Sequence, residues 1–175
     1  MISRRSPGFE RGPVLTPVKP AKSPPVIPAH LLPQRTPAEL ITLAQRGLSE
    51  AMGAPVDGLR YAAAHLAALR AAAAVLATRA RPAPRRRGRP TSVWALLVIV
   101  APELAEWASF FAAGAAKRAA AEAGIPRAVT AREADDLVRE AGRFLVVVES
   151  TLGLPWQPLS ARAADTSSDS AVPVN

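Results

Sequence analysis

The 175-residue chain contains no cysteine, two histidines (His30 and His65), one tyrosine and an aromatic content of only 5 %. Without cysteine there are no disulfides, thiolate zinc sites, iron–sulfur clusters or cysteine nucleophiles. Two histidines argue against a multi-histidine metal centre. There is no glycine-rich phosphate loop and no Ser–His–Asp arrangement worth defending. Long apolar runs are also lacking. The longest is Val93–Val100, closed off by Pro102, Glu103 and Glu106, whereas a bilayer span needs about 20 apolar residues. The basic N-terminus is not followed by an apolar stretch of secretion-signal type. The expectation is a cytoplasmic protein with no membrane contact. What is abundant is alanine, at 38 of 175 residues. Alanine favours helix and close packing, while strands want branched and aromatic side chains. The composition predicts an all-α protein.

The formal net charge of +8 is unevenly placed. Residues 1–35 contribute +5, residues 36–153 contribute +4 and residues 154–175 contribute −1. Six arginines lie between Arg79 and Arg89; without them, residues 36–153 hold nine basic and 11 acidic side chains. The basic character therefore belongs to a tail and one loop, and such patches attract phosphates or acidic partners. Solubility and a GC-rich genome are the plainer explanation, since Arg outnumbers Lys 19 to 3.

Eight of the 18 prolines fall within residues 1–35. Proline removes a backbone donor and restricts its predecessor, so this segment reads as a disordered, basic tail, partly polyproline II. Residues 156–175 are polar and small and read as a second, short disordered tail. The domain is then expected at 36–155. Thr36-Pro37-Ala38-Glu39 is a capping box with proline at the first helical position, and Leu40, Leu43, Ala44, Gly47, Leu48 and Ala51 make a face. A second helix is predicted over 57–80, capped by Asp57, with a seam of Leu59, Ala62, Leu66, Leu69, Ala73 and Leu76. The run Val93–Val100 reads as helix because no partner strand is expected anywhere else in the chain. Pro102 kinks that helix or restarts it. Ala112-Ala113-Gly114-Ala115-Ala116 has no bulk, so another helix can approach there. A second capping box, Thr130 to Glu133, opens a last helix with a seam of Ala134, Leu137, Ala141, Phe144, Val148 and Leu152. These four long helices predict an up-and-down four-helix bundle.

Two stretches carry a family resemblance. Residues 60–72, from Arg60-Tyr61 through His65 to Ala71-Ala72, resemble the second helix of HEPN domains. The run Ala101-Pro102-Glu103-Leu104-Ala105-Glu106-Trp107 and onward to Gly114, with Ala131-Arg132-Glu133-Ala134-Asp135-Asp136-Leu137, is similar to an actinobacterial HEPN subfamily typified by a Streptomyces protein. The resemblance covers about residues 36–154 and implies a four-helix bundle, often dimeric. Many HEPN domains are metal-independent ribonucleases with an arginine and a histidine separated by four to six intervening residues on a late helix near the dimer interface. Others lack that motif and serve as RNA-binding or non-catalytic partners. Here the late helix offers Arg139 and Arg143 but no histidine.

Arg60 and His65 do have the motif spacing, but on the second helix. Residues five apart sit about 140° around a helix, so the two could act together only by converging across a dimer axis. There His65 would be the acid or base for a 2′-hydroxyl attack and Arg60 would stabilise phosphate charge. The plainer alternative makes His65 an ordinary residue at the bundle edge. The loop Pro84-Arg85-Arg86-Arg87-Gly88-Arg89-Pro90 contains Arg-Gly-Arg-Pro and resembles an AT-hook core, whose arginines enter a narrow minor groove. A solvated basic loop is the alternative, and even that would bind phosphates in a salt-dependent way. Glu103 with Glu106, and Asp136 with Glu140, are spaced to hold a cation but read better as partners of surface arginines. Trp107 and Phe111 suggest an apolar face for a partner or a second copy. No cofactor and no metal is expected. The leading expectation is a non-catalytic HEPN-like interaction module, a homodimer with RNA or DNA contact through Arg85, Arg86, Arg87 and Arg89. The alternatives are a HEPN ribonuclease using Arg60 and His65, and a module that binds another protein.

Overall fold

A computed structural model describes residues 24–83 and 92–154. Five α-helices dominate it: α1 (Pro37–Gly53), α2 (Asp57–Arg79), α3 (Val93–Val100), α4 (Ala105–Glu122) and α5 (Ala131–Thr151). Helices α3 and α4 form one arm of the bundle, separated at Pro102 by a single 3-10 turn, Pro102–Leu104. Proline restarts the helix here rather than bending it, because its ring cannot accept the preceding α-helical turn. Counting that arm as one gives the expected up-and-down four-helix bundle.

Both capping boxes form. The Thr36 hydroxyl accepts from the Glu39 amide at 3.3 Å, and the Glu39 carboxylate accepts from the Thr36 amide at 2.8 Å. Thr130 and Glu133 repeat the arrangement at the start of α5. Ser92 caps α3 by accepting from the Ala95 amide. The expected cap of α2 differs. Val56 occupies the cap position with no side-chain hydrogen bond. Asp57 is the first helical residue, placed where its charge meets the positive end of the helix and lies 3.6 Å from Arg60.

Helix α2 is the centre of the molecule; α1, α3, α4 and α5 all pack on it. This explains the alanine content. Ala64, Ala67, Ala68, Ala71, Ala72 and Ala74 are each at most 3 % exposed, and only a helix sheathed in methyl groups lets four neighbours approach at short interaxial distance. The leucine seam expected for α2 is correspondingly off: Leu59 is 57 % exposed and Leu66 and Leu69 are only partly buried. A heptad seam serves one partner, whereas this helix is enclosed on most sides. By length and apolar content α2 could cross a membrane, but 67 % of its apolar window is buried among the other helices, as a core helix should be. The α5 seam agrees with expectation at Ala134, Leu137, Ala141, Phe144 and Val148, all buried, while Leu152 is half-buried and caps the helix rather than extending it.

Helix α4 approaches α2 through Gly114, where an added Cβ would lie 2.7 Å from the Tyr61 hydroxyl. The close approach expected of that small-residue run is confined to the glycine. Ala112, Ala113, Ala115 and Ala116 face outward.

Ordered structure begins ahead of Thr36, inside the segment assigned from sequence to the tail. Val26–Pro28 (β1) pairs in parallel with Arg81–Ala83 (β2), with Ile27 opposite Pro82. Ile27 is 2 % exposed and packs with Leu76, Leu96 and Val100 in a small second core. This corrects the expectation that the chain holds no strand: both strands are three residues long and proline-bearing. Both features fit a two-stranded edge pairing, where missing donors can face outward.

Candidate functional site

His65 lies on the face of α2 that meets α3 and α4. It is 1 % exposed, so it belongs to the core and not to the bundle edge. Its Nε2 sits 2.9 Å from the Phe111 carbonyl. The ring is flanked edge-on by Trp94 at 5.7 Å and Phe111 at 6.0 Å. Burial pushes its pKa below the ordinary histidine value, against the raising effect of the Phe111 carbonyl. A neutral ring that donates Nε2–H to a carbonyl presents Nδ1 as an acceptor. That Nδ1 is buried and has no partner.

Arg60 is engaged elsewhere. Its guanidinium bonds the Asp135 carboxylate of α5, its Nε donates to the Ala54 carbonyl at 3.2 Å, and Asp57 lies alongside. The structure does not bring Arg60 and His65 together within the chain. Phe111 is 0 % exposed, stacked between Trp94 at 5.2 Å and Trp107 at 6.2 Å and in contact with Phe144 at 5.3 Å. It is core, which corrects its placement at an interface: the inward face of α4 turns it into the bundle. Trp107 is half-buried, and the exposed aromatic of this helix is Phe110, at 47 %. Arg85, Arg86, Arg87 and Arg89 lie outside the described residues. Of the arginines leading into them, Arg79 pairs with Glu103 and Arg81 is exposed.

Three of the four carboxylates considered as cation ligands, all but Glu106, are paired with arginines. Glu103 holds Arg79, Asp136 holds Arg139, and Glu140 holds Arg143 at 2.7 Å. No three potential metal ligands cluster among the described residues.

Above the His65 ring opens a pocket of about 490 Å³ between α2, the start of α3 and the second half of α4. His65, Leu69, Trp94, Arg118 and Glu122 are among the side chains lining it. Arg118 and Glu122 pair along α4, Nε to Oε1 at 2.8 Å. Sequence reasoning did not single out either residue. An arginine four positions before a glutamate is an ordinary surface pair on a helix. Only the packing of α3 against α4 turns this one toward a buried histidine.

A scan against family models identifies the SAV_6107-like HEPN family over residues 51–149, more than half of the chain. The match runs from the end of α1 through α2, α3 and α4 and into the last turns of α5. The chain belongs to this HEPN family. Searches of curated proteins and of solved structures return no match.

Proposed function

We propose that this protein is a non-catalytic HEPN binding module that engages a nucleic-acid backbone through the arginine-rich connection between α2 and α3. The observation that carries the reading is the charge distribution. Six arginines fall between Arg79 and Arg89, while the rest of residues 36–153 is net acidic, with nine basic against 11 acidic side chains. Within residues 36–153, polyanion contact is then concentrated at one connection and not spread over the bundle. The non-catalytic part of the reading draws on the engagement of both motif-spaced residues. His65 is enclosed and bonded to Phe111, and Arg60 is held by Asp135. A cytoplasmic location and a homodimeric state belong to the same proposal.

The test is fluorescence anisotropy with labelled single-stranded RNA across a salt series, with EDTA present. The wild-type chain is compared with a variant carrying Arg85→Ala, Arg86→Ala, Arg87→Ala and Arg89→Ala together. If all four arginines reach phosphates, the slope of log affinity against log salt falls by about 2.8 in the variant. An unchanged slope removes the connection from the contact. Cleavage of the RNA that disappears on His65→Ala would establish the ribonuclease instead.

A further inference from the structure

The pocket over His65 is lined by groups of both charge signs, Arg118 and Glu122. Its mouth carries Arg118 and Glu122, one helical turn apart on α4. Their mutual bond uses one guanidinium nitrogen and one carboxylate oxygen. That leaves the two terminal nitrogens of Arg118 and the second oxygen of Glu122 for another group. Opposite them, Ser92 and Val93 bring the start of α3 to the same pocket. The Ala95 amide is taken by the Ser92 hydroxyl and the Leu96 amide by the Ser92 carbonyl. The amides of Val93 and Trp94 have no intrahelical partner, and this end of the helix favours negative charge. The remaining wall is apolar, formed by Leu69, Val93, Trp94, Ala115 and Ala119. The His65 ring closes the floor, and its Nδ1 is the buried acceptor left unpaired.

A ligand suited to this site carries an anion for Arg118 and α3, a cationic donor for Glu122, and an apolar body. A phosphate ester answers only the first demand and is repelled by Glu122. A plain fatty acid leaves Glu122 unanswered. The cavity volume lies within the ordinary range for small-molecule sites. We propose that this pocket binds a free α-amino acid with an apolar side chain. Its carboxylate is held by Arg118 and the first turn of α3, and its ammonium by Glu122. This inference does not depend on the nucleic-acid reading, since it uses none of the residues of the arginine-rich connection beyond Ser92.

The experiment is isothermal titration calorimetry on the full chain with L-leucine and L-phenylalanine. 4-Methylpentanoate, which lacks the ammonium, and 3-methylbutylamine, which lacks the carboxylate, serve as analogues. At least one amino acid is expected to bind saturably, at one site per chain, with an affinity of millimolar or better. Each analogue is expected to bind at least about tenfold more weakly, the loss that follows when a charge-assisted bond is left unmade. Arg118→Gln and Glu122→Gln should weaken binding by about the same factor while the helical circular dichroism is unchanged. Ala119→Trp fills an exposed wall of the pocket and should abolish binding without touching any polar contact. Absence of saturable heat with both amino acids up to about 10 mM overturns the proposal. So does equal affinity for 4-methylpentanoate, or full binding by folded Arg118→Gln and Ala119→Trp.

Discussion

Replacing Gly114 with alanine tests the closest approach in the bundle. Two effects of opposite sign compete. Alanine in a helix interior is favoured over glycine by about 1 kcal/mol. Against that, the new Cβ would stand 2.7 Å from the Tyr61 hydroxyl, well inside contact distance. Tyr61 is 6 % exposed, so its ring has little room to swing away, and burial holds its phenol neutral by raising the pKa. Overpacking of this kind costs about 1–3 kcal/mol. The clash should win, leaving Gly114→Ala less stable than wild type by about 1 kcal/mol, with Tm lower by about 3–6 °C. Tyr61→Phe removes the offending atom. The nearest remaining atoms around that Cβ are then His65 Cδ2 at 3.5 Å and Nε2 at 3.7 Å, which are ordinary contacts. In the Tyr61→Phe background the same Gly114→Ala change should therefore stabilise the protein, by about 0.5–1 kcal/mol. The double-mutant cycle should return a coupling of about 1.5–2 kcal/mol. Urea unfolding of the four proteins measures it. If Gly114→Ala stabilises the wild-type chain, or if the sign does not change with Tyr61→Phe, close approach is not what reserves this position for glycine.

Two further outcomes follow from the core. The folded-state pKa of His65 is lowered from 6.5, chiefly by burial. Stability should therefore be full above about pH 6.5 and fall as the pH drops, because the unfolded chain takes up a proton that the folded chain refuses. The fall ends once the pH passes the folded pKa, and its steepest slope is about 1.4 kcal/mol per pH unit. Urea unfolding between about pH 7.5 and pH 5.5 should show this slope in wild type and its loss in His65→Phe; an identical slope in the two would mean that the ring titrates freely. Ile27→Ala should release the β1 pairing, with a cost of up to about 2–4 kcal/mol. The loss is local, so hydrogen exchange should quicken at the Arg81 amide, which donates to the Pro25 carbonyl at 3.0 Å, while α5 amides keep their protection. Equal acceleration throughout would show that the strap and the bundle unfold as one unit.

Much of the architecture could be read from short-range rules. Thr36 and Thr130 were legible as caps because a hydroxyl followed three residues later by a glutamate satisfies the same orphan amides in any helix. Pro102 was legible as a break because its ring clashes locally. The α5 seam was legible because that helix buries one face only. The rules failed where several elements share one neighbour. The α2 leucines looked like a seam, but a helix surrounded by four others has no single buried stripe. The β1 and β2 pairing joins residues more than fifty positions apart through three residues each, and so short a strand leaves no alternation to detect. The candidate site was half legible. His65 stood out as one of two histidines, but its burial, its bond to Phe111 and its company of Arg118 and Glu122 were not visible.

By itself, the sequence determined that this protein is an all-α HEPN bundle, where its helices start and stop, and that its positive charge sits away from the helices. Those properties depend on neighbours within about one turn of chain, or on composition, and both are written in order along the sequence. Only the tertiary structure decided that α2 is the hub, that Phe111 is core while Phe110 is surface, and that Arg118, Glu122 and the buried His65 line one pocket. Each of these depends on the rotation of one helix about its axis relative to another. A turn of one residue, about 100°, exchanges an inward side chain for an outward one. That choice is made by the fit of whole helices and not by any local signal.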